Sequence, residues 1–329
     1  MRLPDEVSGL LVPAGRPAPA SRDPNDVLVG DLVRPWVEAP AADVGLVGIP
    51  FDTSVLGRRG TRYGPSGARS LILNSTAYAA GLGVDLAEGL RLVDFGDVDV
   101  VHTDVAETHR RIGVVLSAIF RLGVAPCVLG GDHGTSYATI RALADVVAEP
   151  VGIVQVDAHL DVREPHRGEI SSGTPFRRLL EASAVRPENL AQVGIADWRN
   201  SRRYFDYCRE RGTRVISARD LHRSGAEAVA AAALAAATAG TRGFFVSFDL
   251  DALDPAYAPG VSAHAPGGLT AAEALELVWL LGQHPLCRGF DLVELAPPLD
   301  VQDLSSHLAA ALALNFCAAR AVIGDNRRP

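Results

Sequence analysis

The sequence predicts an α/β protein with three layers, in which an eight-stranded, mainly parallel sheet lies between two layers of helices. Short apolar runs alternate with segments of helix length, a pattern typical of a parallel sheet covered on both faces. Hydrophobic residues make up 48% of the 329 residues and charged ones 21%, which allows a large core. The predicted strands are 44–49, 90–93, 125–129, 151–156, 190–194, 214–216, 243–248 and 288–293.

We expect residues 1–40 to form an N-terminal arm and residues 41–329 to form a single catalytic domain. The arm is rich in Pro, Ala, Asp and Arg and lacks the periodicity of a helix or strand. No internal repeat or linker divides the rest, and α/β folds of this length commonly form one domain. The alanine-rich run 228–239 is too short to span a membrane and predicts a helix packed on the sheet.

Composition excludes several classes of function. The net charge of -8 argues against a nucleic-acid partner, because phosphate binding needs a concentrated basic face. The chain has no lysine, which excludes Schiff-base chemistry, pyridoxal phosphate enzymes and a Walker phosphate loop. Its four cysteines form no CxxC pair, and no basic segment precedes an apolar run at the N-terminus. We therefore expect a cytoplasmic protein with no membrane or nucleic-acid partner.

Polar motifs follow three of the predicted strands. The third strand leads into Gly130-Gly131-Asp132-His133, the fourth into Asp157-Ala158-His159-Leu160-Asp161, and the seventh into Asp249-Leu250-Asp251. Ligands of parallel sheets bind beyond the carboxyl ends of the strands, where the loops converge. A single Asp-x-Asp after a strand is more often a turn or a helix cap, but three such motifs in order indicate a common site.

The candidate metal ligands are four aspartates and two histidines: His133, Asp157, His159, Asp161, Asp249 and Asp251. In an extended chain, side chains two residues apart share a face, so those within each motif can converge. The buried carboxylates would repel one another, and bound cations are the natural compensation in a chain without lysine. Oxygen-rich ligands without thiolate favour two Mn²⁺ ions over structural zinc, with zinc, nickel or cobalt as competitors. Two such ions lower the pKa of water and so predict a hydrolase.

These motifs resemble those of the ureohydrolase superfamily of arginase, agmatinase and formimidoylglutamase. The resemblance covers about residues 44–320 and implies an arginase-like fold, two Mn²⁺ per subunit and a homo-oligomer. It implies that one ion is bound by His133, Asp157, Asp161 and Asp249, and the other by Asp157, His159, Asp249 and Asp251. It also gives Asp161 a hydrogen bond to the nucleophile, and assigns to Glu294 the cationic nitrogen group of the substrate.

Ser172 stands where arginases and agmatinases have the histidine that shuttles protons. The run Ser172-Gly173-Thr174-Pro175-Phe176 and the segment Asp161-Val162-Arg163 are instead similar to the formimidoylglutamase branch. The resemblance therefore implies hydrolysis of N-formimidoyl-L-glutamate, a compound of histidine metabolism, to L-glutamate and formamide. Arg163 would bind a carboxylate of this substrate, and Ser172 would line the same site.

Two other functions stay open. One is a guanidino hydrolase, similar to agmatinase or guanidinobutyrase, that releases urea. The other, of a different class, is a metal-binding subunit without catalysis. A further question is which group transfers protons in the absence of the shuttle histidine. His264, after the seventh strand, is a weak catalytic candidate and His166 is its rival, although a packing role is the commoner one for such histidines.

Overall fold

The computed structural model describes residue 23 and residues 25–39, 41–165 and 168–325. Most of the predicted arm lies outside these residues. The strands in the described part are β1 Arg34–Pro35, β2 Val44–Gly48, β3 Tyr78–Ala79, β4 Val84–Asp85, β5 Leu92–Asp97, β6 Ala125–Leu129, β7 Gly152–Val156, β8 Leu190–Ile195, β9 Arg214–Ser217, β10 Phe244–Asp249 and β11 Cys287–Val293.

All eight predicted strands are present in one parallel sheet, which confirms the three-layer α/β fold. The strand order is β1-β5-β2-β6-β11-β10-β7-β8-β9, and every neighbouring pair is parallel. The sheet has nine strands rather than eight, because β1, within the predicted arm, pairs with the edge strand β5. This two-residue strand was missed because it is exposed and contains Pro35, so it shows no alternation of apolar residues. A separate antiparallel pair joins β3 to β4.

Helices cover both faces of the sheet. In the described residues they are α1 Val29–Leu32, α2 Gly64–Asn74, α3 Leu86–Gly89, α4 Val105–Arg121, α5 Ser136–Val147, α6 Pro175–Glu181, α7 Arg202–Glu210, α8 Ala218–Ser224, α9 Ala226–Thr238, α10 Ala271–Gly282 and α11 Leu304–Asp325. One core packs the first three helices and α8 to α11 against the sheet, and a second core packs α4 to α7 against the opposite face. Neighbouring strand residues alternate between the two cores, as Leu46 and Val47 do on β2.

The alanine-rich run forms α9, as predicted, and buries Val229, Ala230, Ala233 and Ala237. One helix in the described part of the chain, α11, is long and apolar enough by composition to cross a membrane over Leu304–Ile323. Its apolar side chains, among them Leu312 and Phe316, lie in the first core, and α11 packs against α10 and α2. Its hydropathy is therefore that of a core helix.

The centre of the sheet contains the reversal in strand order at which α/β proteins form their sites. Strands β6 and β7 are consecutive along the chain, but β11 and β10 lie between them in the sheet. The helices that follow β6 and β7 lie on one face of the sheet, and those that follow β10 and β11 lie on the other, so a crevice opens beyond the ends of these strands. All three predicted ligand motifs follow one of these four central strands.

Candidate metal centre

Four adjacent strands supply the site. His133 follows β6, Asp157, His159 and Asp161 follow β7, Asp249 ends β10, and Glu294 follows β11. The parallel order β6-β11-β10-β7 brings the carboxyl ends of these strands to one edge of the sheet. The predicted ligands, which lie up to 118 positions apart in the sequence, thus meet within the width of four strands.

The ligand motifs leave the strands as turns and not in extended conformation. After β7 the backbone NH of His159 donates to Asp157 Oδ1 at 2.6 Å, and Asp161 has a φ of 48°. After β10 the NH of Asp251 donates to Asp249 Oδ1 at 2.8 Å within a short 3₁₀ turn. The predicted convergence is found, but the side chains converge through these Asp-centred turns. The alternation of an extended strand, which we expected to bring them together, is not the cause.

Two groups of ligand atoms lie close enough to hold metal ions. His133, Asp157, Asp161 and Asp249 form the first, and Asp157, His159 and Asp251 form the second, with the ligand atoms of each group within 4.8 Å of one another. Asp157 belongs to both groups. The second group does not include Asp249, because its Oδ2 faces His133 and its Oδ1 accepts the Asp251 NH.

Distances in the first group fit an octahedral ion. Nδ1 of His133 lies 3.0 Å from an oxygen of Asp157, 3.1 Å from one of Asp161 and 3.0 Å from one of Asp249. This nitrogen is fully buried and has no hydrogen bond of acceptable geometry. Ligand atoms about 2.1 Å from an ion are about 3.0 Å apart along an octahedral edge and about 3.4 Å apart along a tetrahedral one. The donor set and its spacing therefore fit Mn²⁺ or a similar hard ion.

The acids of the centre require positive charge. Burial and the neighbouring Asp157 carboxylate raise the pKa of Asp161 to about 6. Burial and the charge of Asp251 raise the pKa of Asp249 well above its usual value. No arginine pairs with any of the four ligand aspartates among the described residues. Cations bound between these carboxylates would compensate their negative charge.

Glu294 presents an unpaired oxygen to the same cavity. Its side chain is 2% exposed, and Oε1 accepts a 2.8 Å hydrogen bond from the backbone NH of His133. Oε2 is buried and has no hydrogen-bond partner among the described residues. Burial raises the pKa of Glu294 to about 8. Its φ of 65° turns the backbone at the end of β11 into the site. A cationic group on a ligand would satisfy this oxygen and hold the carboxyl group in its ionised form.

Arg163 and Ser172 lie at the mouth of a cavity of about 190 Å³ above the ligands. Arg163 is exposed and has no carboxylate partner in the described part of the chain, and its backbone NH donates to Gly173. Ser172 is nearly buried, and its Oγ accepts a 3.0 Å hydrogen bond from the NH of Leu56. The serine therefore ties two loops of the mouth together, while the arginine keeps its guanidinium free for a ligand.

His264 is held away from the cluster. Its Nε2 lies 2.7 Å from the carbonyl oxygen of Pro259 and 3.2 Å from Nη2 of Arg58, and the ring does not line the cavity. Because a carbonyl only accepts, Nε2 carries a proton and donates it to Pro259. These contacts are those of a packing residue, and the part of His264 in proton transfer stays a prediction. His166 lies outside the described residues.

The sequence patterns did not identify Gln155 and Asn200, two polar residues that support the ligands, whereas Asp132 belongs to one of the predicted motifs. The amide of Gln155 donates to Asp157 at 2.7 Å, and the amide of Asn200 donates to the carbonyl of Ala158 at 2.9 Å. Asp132 caps the turn after β6, accepting from the Ser54 hydroxyl at 2.7 Å and from the Gly134 NH at 3.0 Å. Gln155 offered a signal, because a polar side chain interrupts an apolar strand two residues before a ligand.

Comparison with known proteins agrees with this site. The family model described as "Arginase family" matches residues 42–318. The formimidoylglutamase of Halalkalibacterium halodurans is 34% identical over 289 residues, which are 87% of this chain and 90% of that protein. The human mitochondrial guanidino acid hydrolase is also 34% identical, over 82% of this chain and 76% of its own length.

Solved structures give the same result. The formimidoylglutamase of Bacillus subtilis superposes with a TM-score of 0.90 at 31% identity, covering 96% of this chain and 98% of that one. The Trypanosoma cruzi formiminoglutamase, determined with two Mn²⁺ ions, has a TM-score of 0.83 at 28% identity and covers 93% and 100%. Sequence identity alone does not separate formimidoyl from guanidino hydrolases, so the residues of the mouth have to decide between them.

Proposed function

Since the chain belongs to the arginase family, we propose that it hydrolyses N-formimidoyl-L-glutamate to L-glutamate and formamide at a centre of two Mn²⁺ ions. The observation that carries this proposal is the free guanidinium of Arg163 at the mouth of the metal cavity, with Ser172 in place of a histidine. N-formimidoylglutamate has two carboxylates, whereas a cationic substrate such as agmatine has none to offer an arginine.

The proposed ligands of the first ion are His133, Asp157, Asp161 and Asp249, whose spacing fits an octahedral ion. Those of the second are Asp157, His159 and Asp251, with Asp249 added from the family resemblance. Two divalent cations held there would neutralise the aspartates and would supply a water molecule of lowered pKa as the nucleophile near neutral pH.

The protein's own groups orient the substrate and move its protons. Oε2 of Glu294 is placed to hold the cationic nitrogen group, and Arg163 to bind a carboxylate. Asp161 is the ligand acid that we assign to proton transfer, because its side chain is 11% exposed whereas those of Asp157, Asp249 and Asp251 are at most 3% exposed. The reaction adds one water to the amidine carbon, breaks the bond to the amino-acid nitrogen, and gives that nitrogen a proton.

The second candidate function is hydrolysis of a guanidino compound to urea, which the human guanidino acid hydrolase favours by its equal identity. Both reactions are tested by incubating Mn²⁺-loaded protein with N-formimidoylglutamate, agmatine, guanidinobutyrate and guanidinopropionate, and by measuring formamide and urea. We expect formamide from the first substrate only. Release of urea without formamide would replace our assignment by the guanidino one. Loaded protein inert towards the whole panel would favour the non-catalytic subunit.

We also propose that residues 41–329 form one catalytic domain and that the protein is a cytoplasmic homo-oligomer. Eight of the nine sheet strands lie within residues 41–329 and share two continuous cores, which supports the single domain. Light scattering of the purified protein and fractionation of cells test the oligomer and the location. A monomeric mass or a membrane-bound fraction would contradict these two expectations.

A further inference from the structure

Beneath the metal centre lies a buried carboxylate that the proposed reaction does not use. Asp291, on β11, is 1% exposed, and its Oδ2 has no hydrogen-bond partner among the described residues. No cationic side chain within the described ranges forms an ion pair with it. A buried charge without a partner destabilises a fold unless something nearby compensates it.

Asp291 is linked to the metal centre through one hydroxyl. Its Oδ1 accepts a 2.7 Å hydrogen bond from Ser247 Oγ, and the same oxygen lies 3.1 Å from Nε2 of His133. The hydroxyl of Ser136, 3.5 Å from that of Ser247, and the backbone of Phe248 also lie beside this carboxylate and favour its ionised form. All members of this chain of contacts are buried.

The direction of the hydrogen bonds follows from the chemistry of the groups. A serine hydroxyl has one proton, and an ionised carboxylate can only accept, so Ser247 donates to Asp291. The oxygen of Ser247 is then left to accept a hydrogen bond from the Nε2–H group of His133. The imidazole therefore carries its proton on Nε2, and Nδ1 directs its lone pair at the point where Asp157, Asp161 and Asp249 meet.

We propose that Asp291 is a positioning residue of the metal centre, which acts through Ser247 to fix the ring and the tautomer of His133. The inference rests on the metal ligands of the proposed function. In return, a cation on Nδ1 compensates the buried charge of Asp291 through the imidazole and the hydroxyl. Loss of a carboxylate that orients a metal-binding histidine in this way typically weakens metal binding by about 10–100-fold.

The two histidines of the centre differ in this respect. His133 is fully buried and anchored from below, whereas the side chain of His159 is 20% exposed. In the residues that the structure describes, His159 contacts the acids through Nδ1, and no partner is found for its Nε2. Loss of Asp291 should therefore weaken the binding of one of the two ions and leave the other nearly unchanged.

The test is a Mn²⁺ titration of metal-free protein, in the wild type and in the variants Asp291→Asn, Ser247→Ala and their combination. We expect each single variant to raise the Kd of one ion by about 10–100-fold. The double variant should bind Mn²⁺ no more weakly than the single variants, because each substitution interrupts the same hydrogen-bonded path from Asp291 to His133. Thermal unfolding provides an independent readout. The metal-free Asp291→Asn protein should melt at the wild-type temperature or above it, while the stabilisation that Mn²⁺ adds should shrink.

Asp104→Asn is the matched control, since Asp104 caps α4 at Glu107 and lies outside the metal centre. It should leave the Mn²⁺ affinity unchanged and the melting temperature close to that of the wild type, because asparagine caps a helix about as well as aspartate. The inference is overturned if Asp291→Asn lowers the metal-free melting temperature while both ions bind as in the wild type. If that variant does not fold, Ser247→Ala decides by the same criteria. Wild-type protein that binds no Mn²⁺ would instead refute the proposed function itself.

Discussion

Replacement of Arg163 by alanine tests how the protein recognises its substrate. The guanidinium lies at the mouth of the metal cavity without a carboxylate partner among the described residues, so a carboxylate of the substrate would be its counterion. A hydrogen bond to a charged group contributes about 1.5–3 kcal/mol, and exposure to solvent places this one near the lower end. A loss of about 2 kcal/mol corresponds to a fall in kcat/KM of about 30-fold.

The loss should appear mainly in KM, because the carboxylate does not take part in the bond cleavage and is bound equally in the ground and transition states. Initial rates of formamide release over a range of N-formimidoylglutamate concentrations measure both constants. Hydrolysis of an N-alkylformamidine, which has the same cationic group but no carboxylate, should lose little or nothing. Arg242→Ala, on an arginine that pairs with Glu149 on the surface, is the control and should behave as the wild type. An equal loss with the amidine that lacks carboxylates, or a change below about threefold with N-formimidoylglutamate, would refute the role of Arg163.

Three further changes test other parts of the structure. Glu294→Gln keeps an acceptor for the NH of His133 but loses the charge, and should reduce kcat/KM by about 10–100-fold with normal Mn²⁺ content by elemental analysis; unchanged activity would contradict its assignment. Gly131→Ala places a Cβ 1.8 Å from the carbonyl oxygen of Phe51, so little folded protein should be recovered on expression, whereas Gly113→Ala, on an open helix face, should fold normally. Burial and Arg178 lower the pKa of His109 to about 4, below the unfolded value near 6.5, so its stabilisation is complete above pH 6.5 and is lost as the pH falls towards 4. Between pH 7.5 and pH 5, the free energy of unfolding of His109→Leu, measured by denaturant titration, should fall by about 2 kcal/mol less than that of the wild type. Equal losses in both proteins would contradict this.

Local sequence was enough to determine the strands and most of the site. The apolar runs that form β2, β6, β7, β10 and β11 are continuous because both faces of these strands are buried, and such runs stand out without a partner strand. Acidic and histidine residues directly after an apolar strand are equally easy to recognise in the sequence, since few roles other than ligand binding place several of them there. The six proposed ligands could therefore be named from the sequence.

The features that the sequence did not predict depend on which segments of the chain become neighbours in the fold. Strand β1 is too short and too exposed to carry a pattern, and exists because β5 has a free edge. The contact of His264 with Pro259 reflects the path of a loop, which no local pattern specifies.

By itself, the sequence determined the fold class and the family and predicted the six proposed ligands, because these depend on the order of residues within single segments. Only the tertiary structure decided that Arg163 lies at the mouth with no carboxylate partner among the described residues, and that Asp291 reaches His133 through Ser247. The physical reason is that hydrogen bonds and ion pairs act over about 3 Å. Asp291, Ser247 and His133 come within that distance only when β6, β10 and β11 lie side by side in the sheet.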